Sequence, residues 1–491
     1  MKRRFLFMMI ALAGLAAFSA SEGQDPADRA AGLKTLLPWE VAASQGYRNL
    51  GARRCASSGC HGSVRPDATN DDRMRRDEYL VWLEEDPHQR GHAVLNGERS
   101  LSMFRNLGLS PDDEPPDDEQ YWLVMQKCVA CHAMPVGQAV ADADCRQGTW
   151  EGVSCEMCHG PAEKWLKTHY RTDFISLTAE EKARKGLFNT NDAHQRARLC
   201  VACHVGDEQR QVNHDWIAAG HPALKFEFTA YLSMMPGHWK DSRDRKNARS
   251  PEDHKLELWL AGQQVAADAS LSQLARRATA AAEGHADAVW PEFADVDCYS
   301  CHHDLGSPLS WRQVRGFGVD PQPALIRQVT LPASEWYLFM PARLAAGSDD
   351  EAGQDFQEEW QKLRRAMAAK IIPENEEIAR LARTTRQKLD KWFSQRPLVA
   401  DRQEMIAIME SSDGEQLVGN WDRAVQAYLV LRVITEESGK EKALKQIRDL
   451  LAFPVSTERR FDSPKEFGSV FKQVLEEILD FQKKLNEERE N

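Results

Sequence analysis

Five short segments between positions 55 and 302 each combine two cysteines with a histidine directly after the second one. Four have the spacing Cys-x-x-Cys-His, and the first has four residues between its cysteines instead of two. The segments are Cys55/Cys60/His61, Cys128/Cys131/His132, Cys155/Cys158/His159, Cys200/Cys203/His204 and Cys298/Cys301/His302. In this arrangement two thiols can add to the vinyl groups of a haem while the imidazole reaches the iron. Each motif therefore predicts a covalently bound c-type haem and one of its axial ligands.

Zinc binding and disulfide formation are the alternatives to haem attachment. With 11 Cys and 15 His in 491 residues, chance would produce on the order of 0.01 copies of Cys-x-x-Cys-His. Zinc modules pair their cysteine knuckles at short, regular separations and give no reason for a histidine directly after each second cysteine. For the stretched first motif, a disulfide between Cys55 and Cys60 stays open. We predict five haem c groups, of which the one at Cys55 and Cys60 rests on the weakest motif.

The first residues resemble a secretory signal. Lys2, Arg3 and Arg4 precede an uncharged run over 5–18, and small residues follow at 19–21. A run of 14 residues is short for a bilayer, which needs about 20. We predict cleavage after about residue 21 and export to the periplasm or another extracytoplasmic compartment, with an uncleaved anchor as the alternative. No later segment is predicted to span a membrane.

The charge of the chain limits its partners. The formal net charge is −12, and loss of three basic residues with the signal lowers it to −15. Nucleic acids and anionic membranes attract basic surfaces, so both are disfavoured as partners. An acidic haem protein is better suited to other redox proteins, particularly basic ones.

One cysteine lies outside the motifs. The five motifs account for ten of the 11 cysteines and leave Cys145. A buried unreactive thiol, a bond to another chain and a ligand role are the three interpretations that the sequence allows.

The chain divides into two parts after the signal. Over 55–303 no helical or strand period is sustained, which indicates short helices and loops wrapped around stacked haems. Tyr121, Trp122, Met125 and Cys128 nevertheless have helical spacing, so the second motif should begin near a helix end. We predict a mainly α protein with a signal peptide at 1–21, a pentahaem cytochrome c domain at 22–320 and a helical domain at 321–491.

The C-terminal part contains no cysteine or histidine, and its apolar residues recur every three or four positions. Ser463, Pro464 and Glu466 resemble a helix start. This pattern predicts about five amphipathic helices with a structural, docking or oligomerisation role. The apolar positions are Phe356, Trp360, Leu363 and Met367; Ile378, Leu381, Leu389 and Trp392; Leu417, Trp421, Ala424, Tyr428 and Leu431; and Val470, Val474, Ile478 and Phe481.

Several segments together resemble the cytochrome c-554 family of multihaem cytochromes, which is related to the hydroxylamine oxidoreductase and nitrite reductase group. The segments are Trp82-Leu-Glu-Glu-Asp-Pro-His88, Cys155-Glu-Met-Cys158-His159-Gly-Pro with His169 beyond it, and Gly220-His221-Pro222. The resemblance covers roughly residues 50–240. It implies haems with two histidine ligands, packed in close pairs, and a role in electron transfer.

Ten histidines outside the motifs are available as second ligands. The resemblance assigns this role to His88, His169 and His221. We add His214, which lies seven residues before His221, and His303, which follows a motif histidine directly. His92 and His238 stay open between ligand and packed polar residue. His194, His254 and His285 lie among polar residues and are predicted to be at the surface.

The chain departs from the family in its stretched first motif, its fifth motif and its long helical part. The favoured hypothesis is an exported pentahaem cytochrome that relays electrons between redox partners. The alternative is an enzyme acting on a small nitrogen or sulfur species at a five-coordinate haem. The haem of His61 is then the candidate open site, with Arg90, His92 and His238 as available polar groups.

Overall fold

The computed structural model describes residues 36–66, 74–111, 119–138, 143–239, 251–285, 287–298, 331–347, 350–395 and 421–434, with isolated residues between 405 and 487. The signal segment, Cys301, His302 and His303 lie outside these residues, as do Leu417, the predicted helix start at 463–466 and the apolar positions Val470, Val474, Ile478 and Phe481. The predicted helix that contains Trp421, Ala424, Tyr428 and Leu431 is present as Trp421–Ile434. In the described part the protein is mainly helical, with fifteen helices and two short strands. The predicted fold class is confirmed.

The first twelve elements are short and surround the first four motifs. They are α1 Pro38–Gln45, α2 Glu78–Glu84, α3 Glu98–Asn106, α4 Glu119–His132, β1 Met134–Val136, β2 Thr149–Glu151, α5 Cys155–His159, α6 Thr172–Ile175, α7 Ala179–Arg184, α8 Ala193–His204, α9 His214–Ala219 and α10 Phe228–Met234. Four one-turn 3₁₀ helices lie between them, at Ala52–Arg54, Pro87–Arg90, Ala93–Asn96 and Ala162–Lys164, and a fifth, Phe293–Asp295, lies further along the chain.

The remaining helices are longer and pack on one another. They are α11 Pro251–Ala282, α12 Phe339–Ala346, α13 Glu351–Ala369, α14 Asn375–Gln395 and α15 Trp421–Ile434. The predicted apolar stripes of α13 and α14 are buried, and Phe356 stacks on Trp392 with ring centroids 5.6 Å apart. These two helices therefore form where the 3.6-residue period predicts them.

Helix α11 was not anticipated from the sequence. It has 32 residues and packs against both α8 and α14. Trp259 and Leu271 are buried against the C-terminal helices, whereas Leu258 and Ala266 are buried against α8. Because two faces are apolar, no single stripe stands out. Through α11 the helical part is attached to the helix that carries the fourth motif.

A second connection joins the segment after His221 to the C-terminal helices. The Lys225 ammonium lies 2.5 Å from the Asp422 carboxylate, which is 2% exposed. The Trp336 indole and the Tyr337 hydroxyl donate to the carbonyls of Phe226 and Leu224, at 2.9 and 2.6 Å. The two predicted domains are thus in extensive contact, and the boundary near residue 320 stays a prediction.

Glu335 links two C-terminal helices through buried charge. Its carboxylate pairs with Arg364 of α13 and lies 2.5 Å from the Arg423 guanidinium of α15. Burial raises the pKa of Glu335, but the two arginines outweigh it, so the net pKa lies below the usual value. The ionised carboxylate therefore stabilises the folded state.

We expect Glu335→Gln to lower the free energy of unfolding by about 2–3 kcal/mol at neutral pH, because it leaves two partly buried arginines without their counter-charge. A carboxyl with a lowered folded pKa stabilises above its unfolded pKa, and this contribution is lost as pH falls. The difference from wild type should therefore shrink towards about pH 3. Urea unfolding followed by circular dichroism measures it. Glu358→Gln on the exposed face of α13 is the control, and an equal loss in both variants would contradict the prediction.

Candidate haem-binding sites

Three of the motifs lie on helices that present their reactive side chains together. The motif at 128–132 ends α4, that at 200–204 ends α8, and that at 155–159 forms α5. In an α-helix, residues three and four apart share one face. The two cysteines and the histidine of each motif therefore face the same side. The prediction that Cys128 lies near a helix end is confirmed.

The stretched first motif forms a turn instead of a helix. Cys55 ends the 3₁₀ turn Ala52–Arg54, and the carbonyl of Ser57 accepts from the N–H groups of Cys60 and Gly62 at 2.8 and 3.0 Å. The extra residues thus fold back on themselves before His61. Both thiols of this motif are free.

Each of the first four motif histidines has another histidine opposite its ring. The ring centroids are 6.1–6.4 Å apart. The pairs are His61 with His169, His204 with His88, His132 with His221, and His159 with His238. An imidazole nitrogen binds a metal ion at about 2.0 Å, so two imidazoles on opposite sides of one iron have ring centres about 6.3 Å apart. The spacing of all four pairs fits an iron between the rings.

Hydrogen bonds fix which ring nitrogen is available. Nδ1 of His169 lies 2.9 Å from the carbonyl oxygen of Leu166, and Nδ1 of His221 lies 2.8 Å from that of Pro222. A carbonyl only accepts, so Nδ1 carries the proton in both rings and Nε2 keeps its lone pair. Nε2 is thus left as a metal ligand. His194 differs, because its Nε2 is engaged by Gln264 Oε1 at 2.7 Å.

At His61 and His88, a carboxylate instead of a backbone carbonyl lies next to Nδ1. Nδ1 of His61 lies 3.1 Å from Glu78 Oε2, and Nδ1 of His88 lies 2.9 Å from Asp86 Oδ1. These hydrogen bonds raise the pKa of both imidazoles, although burial opposes the rise. Without such a partner, burial and the neighbouring His88 and His132 lower the pKa of His204 to about 4.

The loop that carries His88 is held against the chain entering the third motif. The His88 carbonyl accepts from Val153 N–H at 2.9 Å, and the Trp82 indole donates to the Val153 carbonyl at 2.9 Å. Gly152 allows this approach, since a Cβ there would lie 2.2 Å from the carbonyl oxygen of Gln89. The β1–β2 pairing, Met134 with Glu151, brings the end of the second motif to the same place.

Glu156, between the two cysteines of the third motif, ties that motif to the first. Its buried carboxylate accepts from the N–H groups of Leu50, Gly51 and Ala162 at 2.6–3.0 Å. Burial raises the pKa of Glu156, while these hydrogen bonds lower it. The backbone just before Cys55 is thereby anchored on α5.

The motifs also contact one another through their cysteines. The Cys55 thiol is within hydrogen-bonding reach of the Cys155 thiol, and Cys131 has the same relation to Cys203. Burial, and to a smaller extent the nearby Cys203, raise the pKa of the Cys158 thiol to about 12. The four motifs therefore form a row in the order of His61, His159, His204 and His132.

Three of the predicted second ligands face a motif histidine, and so does His238, for which the sequence allows either a ligand or a packed polar residue. His88, His169 and His221 each lie opposite a motif histidine, and so does His238. No local pattern distinguishes His238 from the other spare histidines, since its partner is 79 positions away in the chain. His214 begins α9 with its ring 5.6 Å from Phe293. Each described motif histidine faces a histidine other than His214.

The remaining cysteines have separate surroundings. Cys298 is partly buried near Lys225, whereas Cys301 lies outside the described residues. Cys145 packs in an apolar cluster beside Cys128, and its sulfur lies 3.7 Å from the carbonyl oxygen of Trp122. Burial raises the pKa of the Cys145 thiol. This environment favours the unreactive interpretation of Cys145.

The described ranges contain neither a membrane-spanning helix nor a site for a free metal ion. None of the helices there is long and apolar enough to cross a bilayer. Nor does that part of the chain contain a group of three or more His, Cys, Asp or Glu side chains that could hold a metal ion. A haem iron takes only two ligands from the protein, so the second finding concerns free metal ions.

One segment of the chain is similar to a known protein family. Residues 75–160 match the family described as cytochrome c554 and c-prime. The match contains His88 and the motifs at 128–132 and 155–159. It confirms the resemblance to this family for that segment. The relation to hydroxylamine oxidoreductase stays a prediction. No curated protein and no solved structure matches the chain.

Proposed function

We propose that the protein is an exported pentahaem c-type cytochrome that relays electrons between redox partners, a proposal that starts from the match of residues 75–160 to the cytochrome c554 family. The observation that carries the proposal is the set of four facing histidine pairs, with ring centroids 6.1–6.4 Å apart. A bound haem would supply one-electron reduction and oxidation at its iron. The side chains of this protein would attach, orient and bury it.

The residues of these sites fit a covalently bound haem in number and in chemistry. Each of the first four motifs has two thiols for thioether bonds and one imidazole. A second imidazole faces that ring, with the ring centroids 6.1–6.4 Å apart. The hydrogen bonds of His169 and His221 to backbone carbonyls keep Nε2 unprotonated, as an iron ligand requires. The fifth group is proposed from the motif of Cys298, Cys301 and His302 alone.

The row of cysteine contacts supports a relay. Thiols of different motifs are close neighbours at Cys55 and Cys155 and at Cys131 and Cys203. Groups anchored on adjacent sulfurs are close neighbours, and electron transfer between close redox centres needs no motion of the chain. The acidic net charge of −12 suits basic redox partners.

The enzyme alternative depends on an iron that lacks a second protein ligand. The first motif was the candidate for it, but His169 lies opposite His61 with a ring separation of 6.1 Å and nearly parallel planes. This arrangement favours the carrier.

Carbon monoxide binding tests the proposal. We expect the reduced holoprotein to bind no carbon monoxide, because four irons would each lie between facing histidines and His214 or His303 is proposed as the second ligand of the fifth. We also expect it to be reduced and reoxidised reversibly without a small substrate. Optical titration under anaerobic conditions measures both. Stoichiometric binding of one carbon monoxide per molecule would contradict the carrier and support a five-coordinate reactive site.

A further inference from the structure

The histidines of the four sites differ in what their Nδ1 atoms contact. Glu78 accepts from His61 and Asp86 accepts from His88, at 3.1 and 2.9 Å. In the pair of His132 and His221, both rings bond to backbone instead, at Gly91 and at the carbonyl of Pro222. Two sites therefore have a formally anionic partner on an axial ligand, and one site has neutral partners on both ligands.

Asp86 is built to hold the His88 ring. Its Oδ1 accepts from both the backbone N–H and the Nδ1–H of His88, each at 2.9 Å. Asp86 caps the 3₁₀ turn Pro87–Arg90 and is 5% exposed. A carboxylate so shielded from water acts strongly on its neighbour, because the surrounding dielectric constant is low.

Glu78 has a similar double role at the first site. Oε2 accepts from His61, while Oε1 accepts from Arg75 N–H at 2.7 Å. Glu78 begins α2, the helix that leads into the loop of Asp86 and His88. The short stretch from 78 to 88 therefore supplies both carboxylate contacts and one of the axial ligands.

A carboxylate on Nδ1–H makes the imidazole a stronger electron donor. Stronger donation stabilises ferric iron, with its higher charge, over ferrous iron and so lowers the reduction potential. On the basis of the proposed haem ligation, we infer that Glu78 and Asp86 are positioning residues that give the haems of His61/His169 and His88/His204 lower reduction potentials than the haem of His132/His221. Of these three sites, the one at His132 and His221 would then hold an electron most favourably.

The test uses Asp86→Asn in the haem-loaded, full-length protein. The asparagine oxygen can still accept both hydrogen bonds from His88, so the ring position is kept while the charge is removed. We expect the equilibrium constant for reducing one haem to rise about tenfold, which is about 59 mV for one electron. Potentiometric titration followed optically and by electron paramagnetic resonance measures the shift.

Neighbouring carboxylates provide the controls. Glu85→Gln removes an exposed charge one residue away from Asp86, and Glu84→Gln removes an exposed charge at the end of α2. Both variants should leave the reduction potentials unchanged. Glu78→Gln should raise the potential of a different haem than Asp86→Asn does. Unchanged potentials in both test variants, or equal shifts in the controls, would overturn the inference.

The same measurements separate failure of the inference about Glu78 and Asp86 from failure of the proposed haem ligation. If haem ligation by two histidines is wrong, the wild-type protein lacks the low-spin signals of such haems. If only the inference is wrong, those signals are present and the potentials do not respond to Asp86→Asn. Should Asp86→Asn fail to load haem, Glu78→Gln alone decides, because its side chain is at a helix start and more accessible.

Discussion

Replacing His238 by alanine should open one iron and produce a molecule that binds one carbon monoxide. His238 lies opposite His159 with ring centroids 6.4 Å apart. Its burial lowers the pKa of the imidazole, so the ring is neutral and can act as a ligand at neutral pH. Without it, the haem anchored at Cys155 and Cys158 keeps a single axial histidine. One high-spin haem should replace one low-spin haem in the optical and magnetic spectra.

His194→Ala is the matched control for this experiment. His194 is also a spare histidine of the haem region, but its Nε2 is held by Gln264 Oε1 at 2.7 Å. We expect its removal to leave all spectra unchanged and to create no carbon monoxide site. An unchanged spectrum in His238→Ala, or the same new site in both variants, would refute the assignment of His238.

The sequence predicts one half of each haem site well and the other half poorly, for a physical reason. The two thiols and the first imidazole lie within one turn of chain, so their spacing alone identifies them. The second imidazole arrives from elsewhere. His169 lies ten positions after His159 yet faces His61, and His88 faces His204, 116 positions further on. Such pairings depend on tertiary contacts that no local pattern records.

The same distinction applies to the helices. Helices α13 and α14 bury one face each, and the 3.6-residue period of Phe356 and Trp392 with their neighbours predicts both. Helix α11 is buried on two faces, against α8 and against the C-terminal helices, so its pattern has no polar stripe to contrast with the apolar one. Amphipathic periodicity finds helices at the edge of a core and misses those in its centre.

The number of haems is five if the stretched first motif binds haem and four if it does not. We expect the double substitution Cys55→Ala with Cys60→Ala to remove one haem from the protein. His61 already faces His169 at the same separation as the other pairs, and Cys55 contacts Cys155 of the neighbouring motif. The facing imidazoles are what a haem site requires, and a Cys55–Cys60 disulfide does not explain them. Intact mass spectrometry of the exported protein should show a loss of one haem relative to wild type.

Two further variants make this result decisive. Cys60→Ala keeps Cys55, the thiol nearer the third motif, so one thioether bond should still hold the haem and only the spectrum of that haem should shift. Cys145→Ala removes a cysteine outside the motifs, which packs beside Cys128, and should leave the haem content at five. A double variant with the wild-type number of haems would show that Cys55 and Cys60 serve another purpose. In that case the row would start at His159, and the facing rings of His61 and His169 would need a different explanation.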